Sequence, residues 1–111
     1  MRVATATVGF RRVVSVAGEI DMATVPTFRQ AVDAVLLSSQ RDIWIDVSGD
    51  SFKDSTGLRV LLHARRMLDR DQRQLAVIAP DDGPVVRLLE RAGAAPLLPV
   101  FPDRPSAHRN S

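Results

Sequence analysis

Ile43-Trp44-Ile45-Asp46-Val47-Ser48-Gly49-Asp50-Ser51-Phe52-Lys53-Asp54-Ser55-Thr56-Gly57-Leu58 is the stretch from which the fold is read. Ile43, Trp44, Ile45 and Val47 make a short apolar run bounded by Asp42 and Ser48-Gly49, the pattern of a strand covered on both faces. Beyond it, Leu58, Leu61, Leu62 and Leu68 recur at helical spacing, so a helix is predicted to begin near Asp54 or Ser55. Free backbone N–H groups at such an N-terminus favour negative charge, and a phosphate on Ser55 would sit well there.

The flanks extend this strand-then-helix unit. Residues 3–8 and 12–16 alternate apolar and polar around Gly9-Phe10, which predicts an initial hairpin. Thr24 and Pro26 open a helix with Phe28, Val32, Val35 and Leu36 on one face. Residues 75–79 read as a buried strand. Pro80-Asp81-Asp82-Gly83-Pro84 reads as the entry to a helix that buries Val85, Leu88 and Leu89 and stops at Gly93. Leu97, Leu98 and Val100 could add a short edge strand limited by Pro96 and Pro99. The sum is an α/β domain with a mixed sheet of four to five strands and helices packed on one face. It covers residues 1–101, and residues 102–111, with two prolines and no apolar stripe, are expected to be a disordered tail.

Composition narrows the function classes. A chain of 111 residues that is 45% hydrophobic and 25% charged suits one globular domain. No apolar run reaches membrane-span length and no signal-peptide core opens the chain, so a membrane role is not expected. Without cysteine, the chain has no disulfides, thiolate metal sites or thiol redox chemistry. The pI of about 10.4 suggests nucleic acid, but the net charge is only +2. Lys53 is the only lysine and tyrosine is absent, so little titrates between neutrality and arginine, and nucleic-acid binding is not implied. HExxH, GxGxxG and GxxxxGK[ST] are absent, and neither His63 nor His108 has a nucleophile beside it in sequence. No cofactor, metal or enzymatic activity is expected.

Three motifs in order carry a family resemblance. Asp46-Val47-Ser48-Gly49, Phe52 and Asp54-Ser55-Thr56-Gly57-Leu58 are similar to the phosphorylation loop of STAS-domain anti-sigma-factor antagonists, also called anti-anti-sigma factors. Val16-Ala17-Gly18-Glu19-Ile20-Asp21 resembles that family's Gly-Glu-Leu/Ile-Asp loop, and the run from Pro84 to Gly93 resembles its third helix. The match covers roughly residues 3–101 and implies the STAS fold. It further implies a cytoplasmic, non-enzymatic switch in transcription and stress response. Unmodified, the chain would bind an anti-sigma-factor serine kinase and so free a sigma factor. The kinase would phosphorylate Ser55, and a PP2C-type phosphatase would reverse this. The resemblance puts Asp21, Asp54, Thr56, Gly57, Arg59, His63 and Arg66 at the partner surface. The chain departs from the family at Lys53, usually apolar, at Arg59, usually glycine, and in its tail.

Other readings stand beside these. Ser55 and Asp54 are also what an ordinary helix N-cap requires, and Thr56 offers a second hydroxyl; the family register favours Ser55 as the acceptor. Asp21 serves a local turn or a partner contact, and Asp50 suits a turn. Asp21, Asp46, Asp50 and Asp54 could gather as the metal-dependent phosphoacceptor site of a receiver domain, but residues 3–8 lead into Gly9-Phe10-Arg11-Arg12 and not into paired acids. Arg59, His63, Arg66 and Arg70 share one helix stripe, either a solvated face or a basic docking ridge. Gly57, lacking a side chain, is expected to let a kinase approach Ser55 and to tolerate alanine. A soluble STAS scaffold subunit of a transport or signalling complex, without a phosphoswitch, is the alternative function. The oligomeric state is left open.

Overall fold

The computed structural model describes residues 1–109, apart from the side chains of residues 50, 51 and 109. Strands β1 (Arg2–Val8) and β2 (Arg11–Ile20) form the expected hairpin, turning through Gly9 in the left-handed region at φ 62°. Helix α1 (Val25–Ser38) buries the four residues that its periodicity singled out, Phe28, Val32, Val35 and Leu36. Then come β3 (Asp42–Phe52), α2 (Thr56–Arg70), β4 (Leu75–Ile78) and α3 (Pro84–Arg91). A single 3₁₀ turn at Ala95–Leu97 leads to the two-residue β5 (Val100–Phe101), a shorter edge strand than expected because Pro96 and Pro99 limit it. The sheet order is β1-β2-β3-β4-β5, with only the first pair antiparallel. This is the mixed five-stranded α/β architecture of the sequence reading.

Strand alternation divides the core in two. Val14, Val16, Ile43, Ile45, Val47, Leu75 and Val77 point to the layer of α1, α2 and α3, where Leu61, Leu68, Val85 and Leu89 close over them. Val13, Trp44, Ala76 and Ile78 point the other way, and Ala107 covers them. Ala107 belongs to α4 (Arg104–Arg109), so the expected disorder of the tail and the one-sided helix layer both need correction. Long-range contacts order this segment although it has no apolar stripe. Arg104 Nε donates to Asp46 Oδ2 at 2.7 Å and Nη2 donates to Ser15 Oγ at 3.0 Å. At the other end, the Arg11 guanidinium lies 4.5 Å from the Trp44 ring centroid and donates to His108 Nδ1 at 3.3 Å. Residues 110 and 111 of the expected tail lie outside the described residues.

β3 runs further than the sequence suggested. Ser15 pairs with Asp46 and Ala17 with Gly49, so β3 carries one residue more than β2 across this step. The Asp46 carboxylate accepts the Ser48 N–H at 3.0 Å and steadies this bulge. A Cβ at Gly49 would come within 3.2 Å of Ala17 Cβ, so glycine permits the close approach. Asp50, expected to form a turn, stands in the strand opposite Gly18.

Arg73, 8% exposed, ties the far end together. Its guanidinium donates to the carbonyls of Leu36 (3.3 Å) and Ser39 (2.5 Å) at the C-terminus of α1, and to Asp71 Oδ2 at 2.9 Å. It thereby satisfies helix-end carbonyls that have no intrahelical partner.

Trp44 is the only tryptophan in the chain and reports on α4. A chain ending at Asp103 is expected to shift tryptophan emission to the red and to lose about 1–2 kcal/mol of stability, the scale of partly uncovering one large apolar side chain. Fluorescence spectra and urea titrations of both chains check this.

Candidate functional site

Two loops meet at the C-terminal end of the β2–β3 pair. Beyond the bulge, Ile20 pairs with Phe52, and the Lys53 N–H donates to the Ile20 carbonyl at 2.9 Å. The chain after β2 therefore lies against the chain entering α2. In the first loop, the Asp21 carboxylate accepts the N–H groups of Ala23 and Thr24 at 2.9 and 3.0 Å, and the Asp21 N–H donates to Thr24 Oγ1 at 3.0 Å. Asp21 is thus committed to the turn that starts α1, the local role weighed for it above.

Asp54 organises the second loop. Its carboxylate accepts the Thr56 N–H at 2.9 Å and also the Thr56 hydroxyl. These two Thr56 bonds hold its pKa below the usual carboxylate value, with smaller help from the Met22 backbone N–H and the positive charge of Arg59. The Met22 N–H of the first loop thus lies near the Asp54 carboxylate of the second. Ser55 occupies the N-cap position of α2, yet its side chain makes no capping bond and is exposed. The capping assignment for Ser55 therefore passes to Asp54, and Thr56, half-buried, has its hydroxyl engaged.

Gly57 is buried, and the structure shows a packing reason for it. A Cβ there would lie 3.0 Å from the Phe52 ring and 3.1 Å from Ile20 Cγ2. Its missing side chain lets the first turn of α2 seat on the strand ends.

Along α2, Arg59, Arg66 and Arg70 are exposed and have no ion-pair partner among the described residues. His63 is half-buried and turned toward α1, 3.8 Å from Asp33. The four-residue stripe is thus three arginines flanking a histidine that belongs to the α1–α2 seam. Lys53 lies 3.5 Å from Glu19, which partly offsets the charge it brings to the loop. The Asp46 carboxylate is bonded to Arg104 of α4, and among the described residues no group of three or more acids gathers as a receiver site needs.

The sequence reading overlooked Met22, 76% exposed on the tip of the Asp21 loop, although a large apolar residue directly after a helix-starting aspartate was a usable signal. Together the two loops present an exposed hydroxyl that makes no capping bond, an exposed methionine and a basic helix face. Among the described residues, no helix is long and apolar enough to cross a membrane.

The chain belongs to the STAS domain family, whose model matches residues 2–107. It is 30% identical over 87 residues to the anti-sigma-B factor antagonist of Staphylococcus aureus, covering 78% of this chain and 80% of that protein. An anti-sigma factor antagonist from Mycobacterium paratuberculosis superposes with a TM-score of 0.88 at 28% identity, covering 98% of this chain and 92% of that one. The Bacillus cell fate determinant SpoIIAA in its phosphorylated form shares the fold at TM-score 0.68 and 19% identity, over 99% of this chain and 100% of that one. STAS antagonists of anti-sigma factors are regulatory binding proteins and not enzymes.

Gly57→Ala tests the packing explanation. Overpacking typically costs about 1–3 kcal/mol, against a helix-propensity gain of up to about 1 kcal/mol. A net loss of about 1 kcal/mol in urea unfolding is therefore expected, and Phe52→Leu in the same chain should recover part of it.

Acid titration tests the carboxylates. Burial raises the pKa of Asp46, but the bonds from Ser48 and Arg104 outweigh it, so Asp46, like Asp54, is depressed in the folded state. Their stabilisation is present in full above the unfolded aspartate value of about 3.9 and is lost as pH falls through the folded values. Melting midpoints of Asp46→Asn should be lower than those of the parent at pH 6 and converge with them toward pH 3.

Proposed function

We propose that this chain is an anti-sigma-factor antagonist controlled by phosphorylation of Ser55. In this reading the unmodified protein binds an anti-sigma-factor serine kinase through the Asp21 loop, the Ser55 loop and the exposed face of α2, and so releases a sigma factor. A PP2C-type phosphatase restores the unmodified form. One observation carries the proposal: of two adjacent hydroxyls at the start of α2, that of Thr56 is held by Asp54, whereas that of Ser55 is exposed and takes no part in capping. The similarity to antagonists from Staphylococcus aureus and Mycobacterium paratuberculosis supports the partner class, and the phosphorylated form of SpoIIAA supports the chemistry on the shared fold.

The switch is electrostatic. A phosphate adds about −1.5 to −2 charges at pH 7. Within a docked interface next to the ionised Asp54, that charge is desolvated without a partner, which typically costs about 2–5 kcal/mol. Affinity then falls about thirtyfold or more. In the free protein the helix N-terminus and Arg59, one turn on, receive the charge, so phosphorylation weakens the complex without unfolding the domain.

The test is incubation with candidate anti-sigma-factor kinases and ATP, followed by intact mass and peptide mapping. Ser55→Ala is expected to abolish the mass gain and keep binding, and Ser55→Glu to weaken binding at least tenfold. Phosphate mapped to Thr56, or equal kinase affinity for parent and Ser55→Glu, would overturn the proposal. Arg59→Gly should reduce the thermal stabilisation that phosphate brings, which is about 0.5–1 kcal/mol in the parent.

A further inference from the structure

The two edges of the sheet are treated differently. β5 is two residues long, lies between Pro99 and Pro102, and has α4 packed beside it. β1 is seven residues long, pairs with β2 without interruption from Arg2–Ala17 to Val8–Arg11, and ends the strand order. Its outer N–H and C=O groups have no strand partner among the described residues. Sheet edges are usually protected by proline, bulges, inward charges or brevity. Arg-Val-Ala-Thr-Ala-Thr-Val has none of these, since its only charge is Arg2 at one end. Residues 4–8 are exposed, Val8 to 47%.

The occupant that fits this edge is a second copy of the same chain. Residues opposed across a continuous sheet must share a face, so two β1 strands related by a twofold axis normal to the sheet pair only in even registers. The register centred on Thr5 uses all seven residues. It opposes Thr5 to Thr5, Ala4 to Ala6, Val3 to Thr7 and Arg2 to Val8 of the other copy. Small residues meet small residues, β-branched residues meet one another, and the two Arg2 side chains sit at opposite ends, so no like charges oppose. With no acid in the strand and one terminal cation, the edge offers a charged foreign strand little to select on.

We infer that β1 joins two copies edge to edge in an antiparallel pair centred on Thr5, giving a ten-stranded sheet. The helix layers stay on one side of that sheet. The twofold reverses strand direction, so the two Ser55 loops point away from each other at opposite ends. Each copy can then engage its own partner, and the inference does not rest on Ser55 being phosphorylated.

Light scattering coupled to size exclusion tests it, because the parent should run at twice the 12.2 kDa chain mass. Thr5→Lys places two ammonium groups opposite each other on the axis and should weaken association at least tenfold. Thr5→Glu should do the same through like-charged carboxylates. An equimolar mixture of the two variants should recover the dimer, since lysine then faces glutamate. Circular dichroism matching the parent establishes that both variants fold, as expected for an exposed position. A parent that is monomeric at 1 mg/ml and above (on the order of 0.1 mM), a Thr5→Lys chain that stays dimeric, or a mixture that stays monomeric would each overturn the inference.

Discussion

The pairing of β2 with β3 beyond the bulge is what the site depends on. Had β3 stopped at Gly49, the Asp21 loop and the entry to α2 would have no reason to meet. The extra residue in β3 lets the ladder continue to Ile20 and Phe52, and the Lys53 N–H closes it on the Ile20 carbonyl. Asp54 then holds Thr56 at the entry to α2, with the Met22 N–H of the other loop near its carboxylate. Asp46, two residues before Ser48, performs a related service upstream, since one oxygen steadies the bulge and the other holds Arg104 of α4. A single strand thus carries the two loops of the candidate site at its end and the second-face helix at its middle.

Energetically, the domain has two unequal cores. The larger lies under α1, α2 and α3 and is built from aliphatic side chains at strand and helix spacing. The smaller rests on Trp44, Ala76, Ile78 and Ala107 and relies on polar clamps at both ends of α4. Arg73 adds a buried cation whose role is to satisfy carbonyls where α1 ends. Such a group rarely raises stability over an apolar substitute, but losing it would strand those carbonyls without a donor.

How much was legible follows from how local each cause is. The burial of Phe28, Val32, Val35 and Leu36 depends on helical spacing alone and could be read from the chain. So could the hairpin, since Gly9 supplies the left-handed turn. The helix at Arg104–Arg109 could not, because it is ordered by Asp46, Ser15 and Trp44, between 58 and 89 positions away for its Arg104 contacts. The packing at Gly57 was hidden for the same reason: its neighbours Phe52 and Ile20 come together only after β2 and β3 pair. At the site, position and residue type singled out Ser55 as a candidate, whereas the division of labour between Asp54, Ser55 and Thr56 required coordinates.

That division of labour bears on what kind of signal the loop can send. Many regulatory hydroxyls sit where they also hold structure, so altering them rearranges the backbone. Here the aspartate before Ser55 starts the helix, and the serine hydroxyl takes no part in capping it. None of the loop hydrogen bonds described above uses its side-chain oxygen. The fold is therefore a constant carrier, and any message written at that atom is read as potential and not as shape.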